Sequence, residues 1–244
     1  MTALSGRVLL ERRQVVRARA ELRRRGVSCL SGPSRPFRFV LRKLGVRVPA
    51  AVGYWIKSWD VLESVRFIEE HLPRDATILD LGANTSEILC ILHRLGYSSL
   101  TGVDVAPEVA RMPYASSIRY VRADYMRSGL PDASFDALTA ISAIEHGYDG
   151  EALFAECARL LRPGGYLILS FDYWPEKIDT TGTLMYGMTW RIFSRAEALE
   201  LVETARRHGL EAVGAVDLDA GERVVRWGKW QYTFAWLALR KAMR

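Results

Sequence analysis

The chain has 244 residues, 49% of them hydrophobic and 25% charged; this suits one α/β domain with a sizeable core plus an appendage, and excludes a collagen-like or wholly disordered chain. Cys29, Cys90 and Cys157 are too few and too widely spaced for a disulfide framework or a C-x-x-C site. No apolar run approaches the roughly 18 residues of a membrane-spanning helix, and the first residues lack a secretory core, so a cytoplasmic protein is the default expectation.

The net charge of +6 is uneven: residues 1–47 hold 13 Arg or Lys against two Glu, and the remainder is net acidic. A basic arm of this type reads first as a solvated helical face or a homo-oligomer contact. Its second reading is a contact for nucleic acid or a phosphorylated substrate, and an Arg-rich, acid-poor start also resembles a transit peptide.

In chain order, residues 7–25 contain strong helix formers with Val8, Val15 and Leu22 seven apart, which predicts one amphipathic helix ending at Gly26. Residues 31–36 have loop composition and 37–44 form a second short basic segment, so residues 1–57 read as a basic helical extension and 58–244 as the main domain. Val61, Val65, Ile68 and Leu72 predict a helix stopped by Pro73. Apolar runs at 77–81, 100–104, 118–121, 135–141 and 166–171 then alternate with helical stretches at 86–95, 107–112 and 151–161. Such alternation requires a doubly wound, mostly parallel sheet, here of seven strands, because parallel neighbours need crossover connections. A helix over 195–208 is followed by strand-like runs at 211–218 and 230–239 with no helix between them, which predicts a C-terminal antiparallel hairpin.

Ligands of an open α/β sheet sit beyond the carboxyl ends of its strands, at the point where strand order reverses. The first strand of this alternation runs into Asp80, Leu81, Gly82 and Ala83, where glycine permits close backbone approach and the next helix offers its N-terminus. The second strand ends at Asp104, 22 residues beyond Gly82, where a carboxylate can accept hydrogen bonds from both ribose hydroxyls. Together they imply a nucleoside ligand. NAD would need glycines where the chain has Asn84 and Glu87, and its pyrophosphate would be repelled by Asp80 and Glu87. A cofactor carrying a sulfonium and an ammonium uses such carboxylates, so the charge pattern favours S-adenosylmethionine.

Over about residues 75–240 the chain resembles the class I S-adenosylmethionine-dependent methyltransferases, through ILDLGAN, LTGVDVA, VRADY, FDALTAISAIEH and LLRPGGYLILS in the family's order. The resemblance implies that Asp80, Gly82 and Ala83 line the methionine moiety, that Asp104 holds the ribose and Val105 packs on the adenine. It further implies that Asp124 and Tyr125 flank the adenine and that Ser142 lies under the methionine end. Asn84 and Ser86 stand where many relatives have glycine.

Methyl transfer is an in-line displacement, so the protein aligns the acceptor and, for a hydroxyl, removes a proton. His146 is the candidate base, with Glu145 or Asp172 orienting it; the same Glu145-His146 pair also reads as a structural turn. The loop 171–182 mixes acids and aromatics as sugar-binding surfaces do, which makes Asp172, Tyr173, Trp174, Lys177 and Tyr186 candidates for the acceptor site, or a loop held by its own packing. Class I relatives often fold such a segment over the cofactor, so the resemblance implies a lid at residues 54–59, with Tyr54, Trp55, Lys57 and Trp59; plain packing of the aromatics is the other reading. No helical His pair or acidic cluster indicates a metal. The expected activity is O-methylation of a small polar acceptor such as a sugar or glycosylated metabolite, because the C-terminal half resembles methyltransferases of glycan or natural-product assembly. RNA methylation through the basic arm and non-catalytic nucleoside binding are the alternatives.

Overall fold

The computed structural model describes residues 4–30, 43 and 52–243. The loop expected at 31–36 and, apart from Lys43, the basic segment at 37–44 lie outside the described residues. β1 (Leu4–Val8) precedes α1 (Arg12–Arg24), and a 3₁₀ turn (Trp55–Lys57) leads directly into α2 (Ser58–His71). The alternating part follows as β2 (Thr77–Leu81), α3 (Ile88–Arg94), β3 (Ser99–Asp104), β4 (Ile118–Arg122), β5 (Phe135–Ile141), α4 (Gly150–Leu160) and β6 (Leu161–Tyr173). Then come β7 (Leu184–Met185), β8 (Met188–Thr189), α5 (Arg195–Arg207), β9 (Leu210–Ala212), β10 (Ala215–Val216), β11 (Val225–Trp227) and the long β12 (Trp230–Lys241).

The main sheet runs β10-β1-β12-β6-β5-β2-β3-β4, with β9 and β11 also pairing to β12. Strands β4 to β6 of this path are mutually parallel, and β12 lies antiparallel to β6 with Leu237 opposite Leu169. Side chains alternate across each strand, so Ile78 and Leu79 of β2 enter different cores, one shared with α1, α2 and α3 and the other with α4 and α5. Covering both faces is what a parallel sheet requires, and it makes the doubly wound expectation good. From β2 the chain builds outward through β3 and β4 on one side and β5 and β6 on the other, which opens a crevice beyond the carboxyl ends of β2 and β5.

The N-terminus departs from the expected helix. Residues 4–8 form a strand, pairing antiparallel with β12 (Gly6 opposite Leu237) and parallel with β10 (Leu4 opposite Ala215). β9 pairs with β12 only at 239–241, so β12 backbone groups further back would stand unpaired without β1. Val15 and Leu22 do lie on the buried face of α1. The extension is thus built into the sheet, and its arginines reach into the domain: Arg7 to Glu63 at 2.6 Å and Arg25 to Glu69 at 2.6 Å. The expected strand at 211–218 is two short strands, β9 and β10, because β1 takes the place between β10 and β12. Among the described residues no helix is long and apolar enough to cross a membrane.

Candidate active site

The β2–α3 loop begins with Gly82 at φ +78°, where a Cβ would approach the Ala143 Cβ to 2.6 Å, so only glycine serves. Gly82 and Ala83 both donate their N–H to the Val103 carbonyl, which ties this loop to β3. Asp104, at the end of β3, accepts from the backbone N–H of Asn84 at 2.9 Å and of Ala106 at 2.8 Å. Its half-buried carboxylate is therefore fixed before any ligand arrives. Asp80 is fully buried; its Oδ1 accepts from the Thr139 hydroxyl at 2.6 Å. Burial pushes this carboxyl up to about 7, against the Thr139 hydroxyl that favours its charged form, with Asp104 adding repulsion.

Buried polar atoms without a hydrogen-bond partner cluster here: Asp80 Oδ2, Asn84 Oδ1 and Ser86 Oγ. Such atoms are costly unless a ligand or water satisfies them. Around them, Val105 is 48% exposed, and Asp124 is exposed and caps a 3₁₀ turn (Tyr125–Arg127) by accepting from the Met126 N–H. The half-buried Tyr125 donates its hydroxyl to the Ala143 carbonyl at 3.2 Å. Ser142, just past β5, has φ +49° and donates its N–H to the Ser170 carbonyl.

Glu87 corrects the charge argument made from sequence. It is buried and held by both guanidinium nitrogens of Arg19, at 2.8 and 2.7 Å, and by the Cys29 N–H. Its charge is neutralised within the protein rather than turned to the crevice, which leaves Asp80 and Asp104 as the carboxylates of the pocket.

A second cluster adjoins the first across β5 and β6. Asp172 is buried and its Oδ2 accepts from Trp190 Nε1 at 2.9 Å, while Oδ1 stands 3.5 Å from Lys57 Nζ. The half-buried His146 leaves Nδ1 without a partner, its ring edge-on to Tyr186 at 5.2 Å. Burial holds His146 below the ordinary histidine value; Asp172 opposes this and Lys57 adds to it. Glu145 is buried with Oε2 unpartnered, and burial together with Asp172 raises its carboxyl well above the usual range. Neither Glu145 nor Asp172 hydrogen-bonds to His146, so the expected orienting contact is absent and Trp190 takes the Asp172 oxygen instead.

Two acceptor candidates are displaced. Tyr173 follows Asp172 on β6, so its side chain points to the opposite face, where it is fully buried with its hydroxyl on the Leu218 carbonyl at 2.8 Å. Lys177 is exposed and paired with Glu197 of α5 at 2.6 Å. Trp174 is half-buried, with Nε1 unpartnered and the Arg223 guanidinium 4.2 Å from its ring. Tyr186 is 74% exposed at the turn between β7 and β8.

The family model described as a methyltransferase domain matches residues 79–169, the segment that carries Asp80, Gly82, Asp104, Ser142 and His146. Residues 79–169 of the chain are thus similar to a methyltransferase domain. Among curated relatives, the ubiquinone biosynthesis O-methyltransferase of Xanthomonas axonopodis pv. citri is 35% identical over 105 residues, which are 40% of this chain and 44% of the relative. The chain thus spans less than half the length of the curated relatives it matches. The [4+2]-cyclase SpnF superposes with a TM-score of 0.62 at 19% identity, covering 89% of this chain and all of that one. A 1,6-didemethyltoxoflavin-N1-methyltransferase of Burkholderia thailandensis gives a TM-score of 0.56 at 22% identity, covering 88% and 93%. These structures establish a shared fold.

The methyltransferase pocket has a donor and acceptor set that fits S-adenosylmethionine. Asp104 presents a carboxylate held in place by two backbone N–H groups, and Asp80, Asn84 and Ser86 present unsatisfied polar atoms. Sequence reasoning assigned no chemistry of their own to three residues of the second cluster. Trp190 lies at the far end of an irregular stretch. Asp60 is buried in the first turn of α2, accepts from the Ser170 hydroxyl at 2.8 Å, and is pushed by burial up to about 6. Lys57 belongs to the segment read as a lid, and its charge was the available signal. Just ahead of that segment Gly53, at φ +73°, donates its N–H to the Thr85 carbonyl, and a Cβ there would lie 2.8 Å from Glu87 Oε2. Among the described residues no group of three His, Cys, Asp or Glu is placed to hold a metal ion.

Proposed function

We propose that the chain is an S-adenosylmethionine-dependent O-methyltransferase acting on a small hydroxylated acceptor, such as a sugar or glycosylated metabolite. The observation that carries this reading is the pair of adjoining clusters of buried, unpartnered polar atoms: Asp80, Asn84 and Ser86 on the cofactor side, and Glu145, His146 and Asp172 on the acceptor side. The bound cofactor supplies a methyl group activated by its sulfonium. The protein supplies the rest. Asp104 takes the ribose hydroxyls, Asp80 and Ser142 face the amino-acid end, and Val105, Asp124 and Tyr125 border the adenine. Asp80 becomes the counter-ion of the cofactor ammonium, which offsets the cost of ionising it in a buried position.

On the acceptor side His146 is the base. Held below its ordinary value it is unprotonated at neutral pH, so Nδ1 can receive the hydroxyl proton as the oxygen attacks the methyl carbon. Asp172 contributes its field to the protonated imidazole that results, while Trp174 and Tyr186 offer ring faces to a sugar. The match to O-methyltransferases over 105 residues agrees with an oxygen acceptor. The test is transfer of isotope-labelled methyl from S-adenosylmethionine to a panel of glycosides, phenols, amines and RNA. Base-stable ether products on hydroxylated rings are expected. Label appearing in amines or RNA alone would contradict the assignment.

A further inference from the structure

We propose that Lys57 is a positioning residue of the transfer site: its ammonium joins Ser142 at the cofactor end to Asp172 at the acceptor end and keeps His146 free to accept a proton. The inference rests on the methyltransferase reading, since it assigns Lys57 a part in the same proton transfer.

The geometry is specific. Lys57 closes the 3₁₀ turn that precedes α2, and its side chain runs inward until only 20% is exposed. The ammonium contacts the Ser142 hydroxyl, stands 3.5 Å from Asp172 Oδ1 and lies 3.5 Å from the centre of the Phe234 ring. An ammonium has three N–H groups and no acceptor, and this site offers it one hydroxyl, one carboxylate and one aromatic face. Ser142 follows β5, Asp172 belongs to β6 and Phe234 to β12, so one cation from the preceding segment braces three strands at their site ends.

The charge environment requires a cation. Asp60 from α2, Glu145 after β5 and Asp172 from β6 are three buried carboxyl groups near one ammonium, and Tyr232 from β12 faces the last two. Lys57 favours ionisation of Asp60 and of Glu145, and it disfavours protonation of His146. The groups facing His146 are therefore Lys57 from the 3₁₀ turn, Asp172 from β6 and the Tyr186 ring from the β7–β8 turn. Without Lys57, burial still holds the imidazole down but the field of Asp172 goes unopposed by a cation, so His146 takes up a proton more readily; a residue that merely latched the preceding segment would leave the imidazole unaffected.

The test uses the four histidines of the chain. Imidazole resonances are followed against pH by NMR, with His146 assigned from a His146→Gln variant, in the wild-type protein and in Lys57→Met, Lys57→Arg and Asp172→Asn. Binding of S-adenosylhomocysteine is measured on each by calorimetry. Lys57→Met is expected to move the His146 titration up by about one pH unit, Lys57→Arg to return it towards the wild-type value, and Asp172→Asn to move it down. A folded Lys57→Met protein whose His146 titrates as in the wild type overturns the proposal. If Lys57→Met does not fold, an Asp172→Asn protein with an unmoved His146 does the same. Failure of the wild type to bind S-adenosylhomocysteine would instead overturn the methyltransferase reading, and the His146 titrations separate the two failures.

Discussion

Asp80 carries opposing demands on one side chain. It is fully buried and pushed up to about 7, so its ionised form is costly to the unliganded protein. The sign follows from a folded-state value above the unfolded one: the cost is absent below about pH 4, where both states are protonated, and fully developed above about pH 7. Asp80→Asn keeps an acceptor for Thr139 and removes the charge. It is expected to raise the melting temperature at pH 8, with the gain shrinking towards pH 4, while weakening S-adenosylhomocysteine binding; calorimetric scans across pH check both. Tyr173 belongs to the same scale with the opposite outcome. Tyr173→Phe forfeits the hydrogen bond to Leu218, costing about 1 kcal/mol in urea unfolding, and leaves methyl-transfer constants unchanged because the side chain faces the other core.

At the scale of elements, the alternation of β2 to β6 with helices was legible because both signals are local: period-2 or continuous apolar runs bounded by turns, and apolar spacing at 3.6. Asp80, Gly82 and Asp104 were legible for the same reason, each standing at the end of a readable strand. What escaped were features set by partners far along the chain. Residues 4–8 are a strand because β12 needs a neighbour there, which no window around Arg7 reveals. Asp172 and Tyr173 diverge because β6 continues to Tyr173 instead of releasing a loop at Phe171. The role of Glu87 was misread because its partner Arg19 lies 68 residues away. That pair also joins elements: Arg19 further donates to Ser58 at the start of α2 and to Ser28. Arg19→Met strands the buried Glu87 charge and is expected to cost about 3–5 kcal/mol in denaturant unfolding, most of it recovered in the Arg19→Met, Glu87→Gln double variant.

For the whole molecule, the reversal of strand order at β2 opens the crevice on which the proposed function rests, with β2 and β3 on its proposed cofactor side and β5 and β6 on its proposed acceptor side. The N-terminal segment completes this arrangement from outside the alternating unit, through β1 in the sheet, Arg19 on the cofactor loop and Lys57 at the junction. The fold alone does not set the chemistry: the similar structures include a cyclase and an N-methyltransferase. The acceptor is therefore argued from His146, Asp172 and their neighbours.

On the proposed function, Asp104 and its surroundings hold a nucleoside cofactor of the S-adenosylmethionine type. Calorimetric titration with S-adenosylhomocysteine, on the wild type and on Asp104→Ala with NADH as control, tests it most directly. Saturable binding that the substitution weakens by about 2 kcal/mol, roughly 30-fold, is expected, with no binding of NADH. Binding of NADH in its place, or an affinity for S-adenosylhomocysteine indifferent to Asp104, would contradict it.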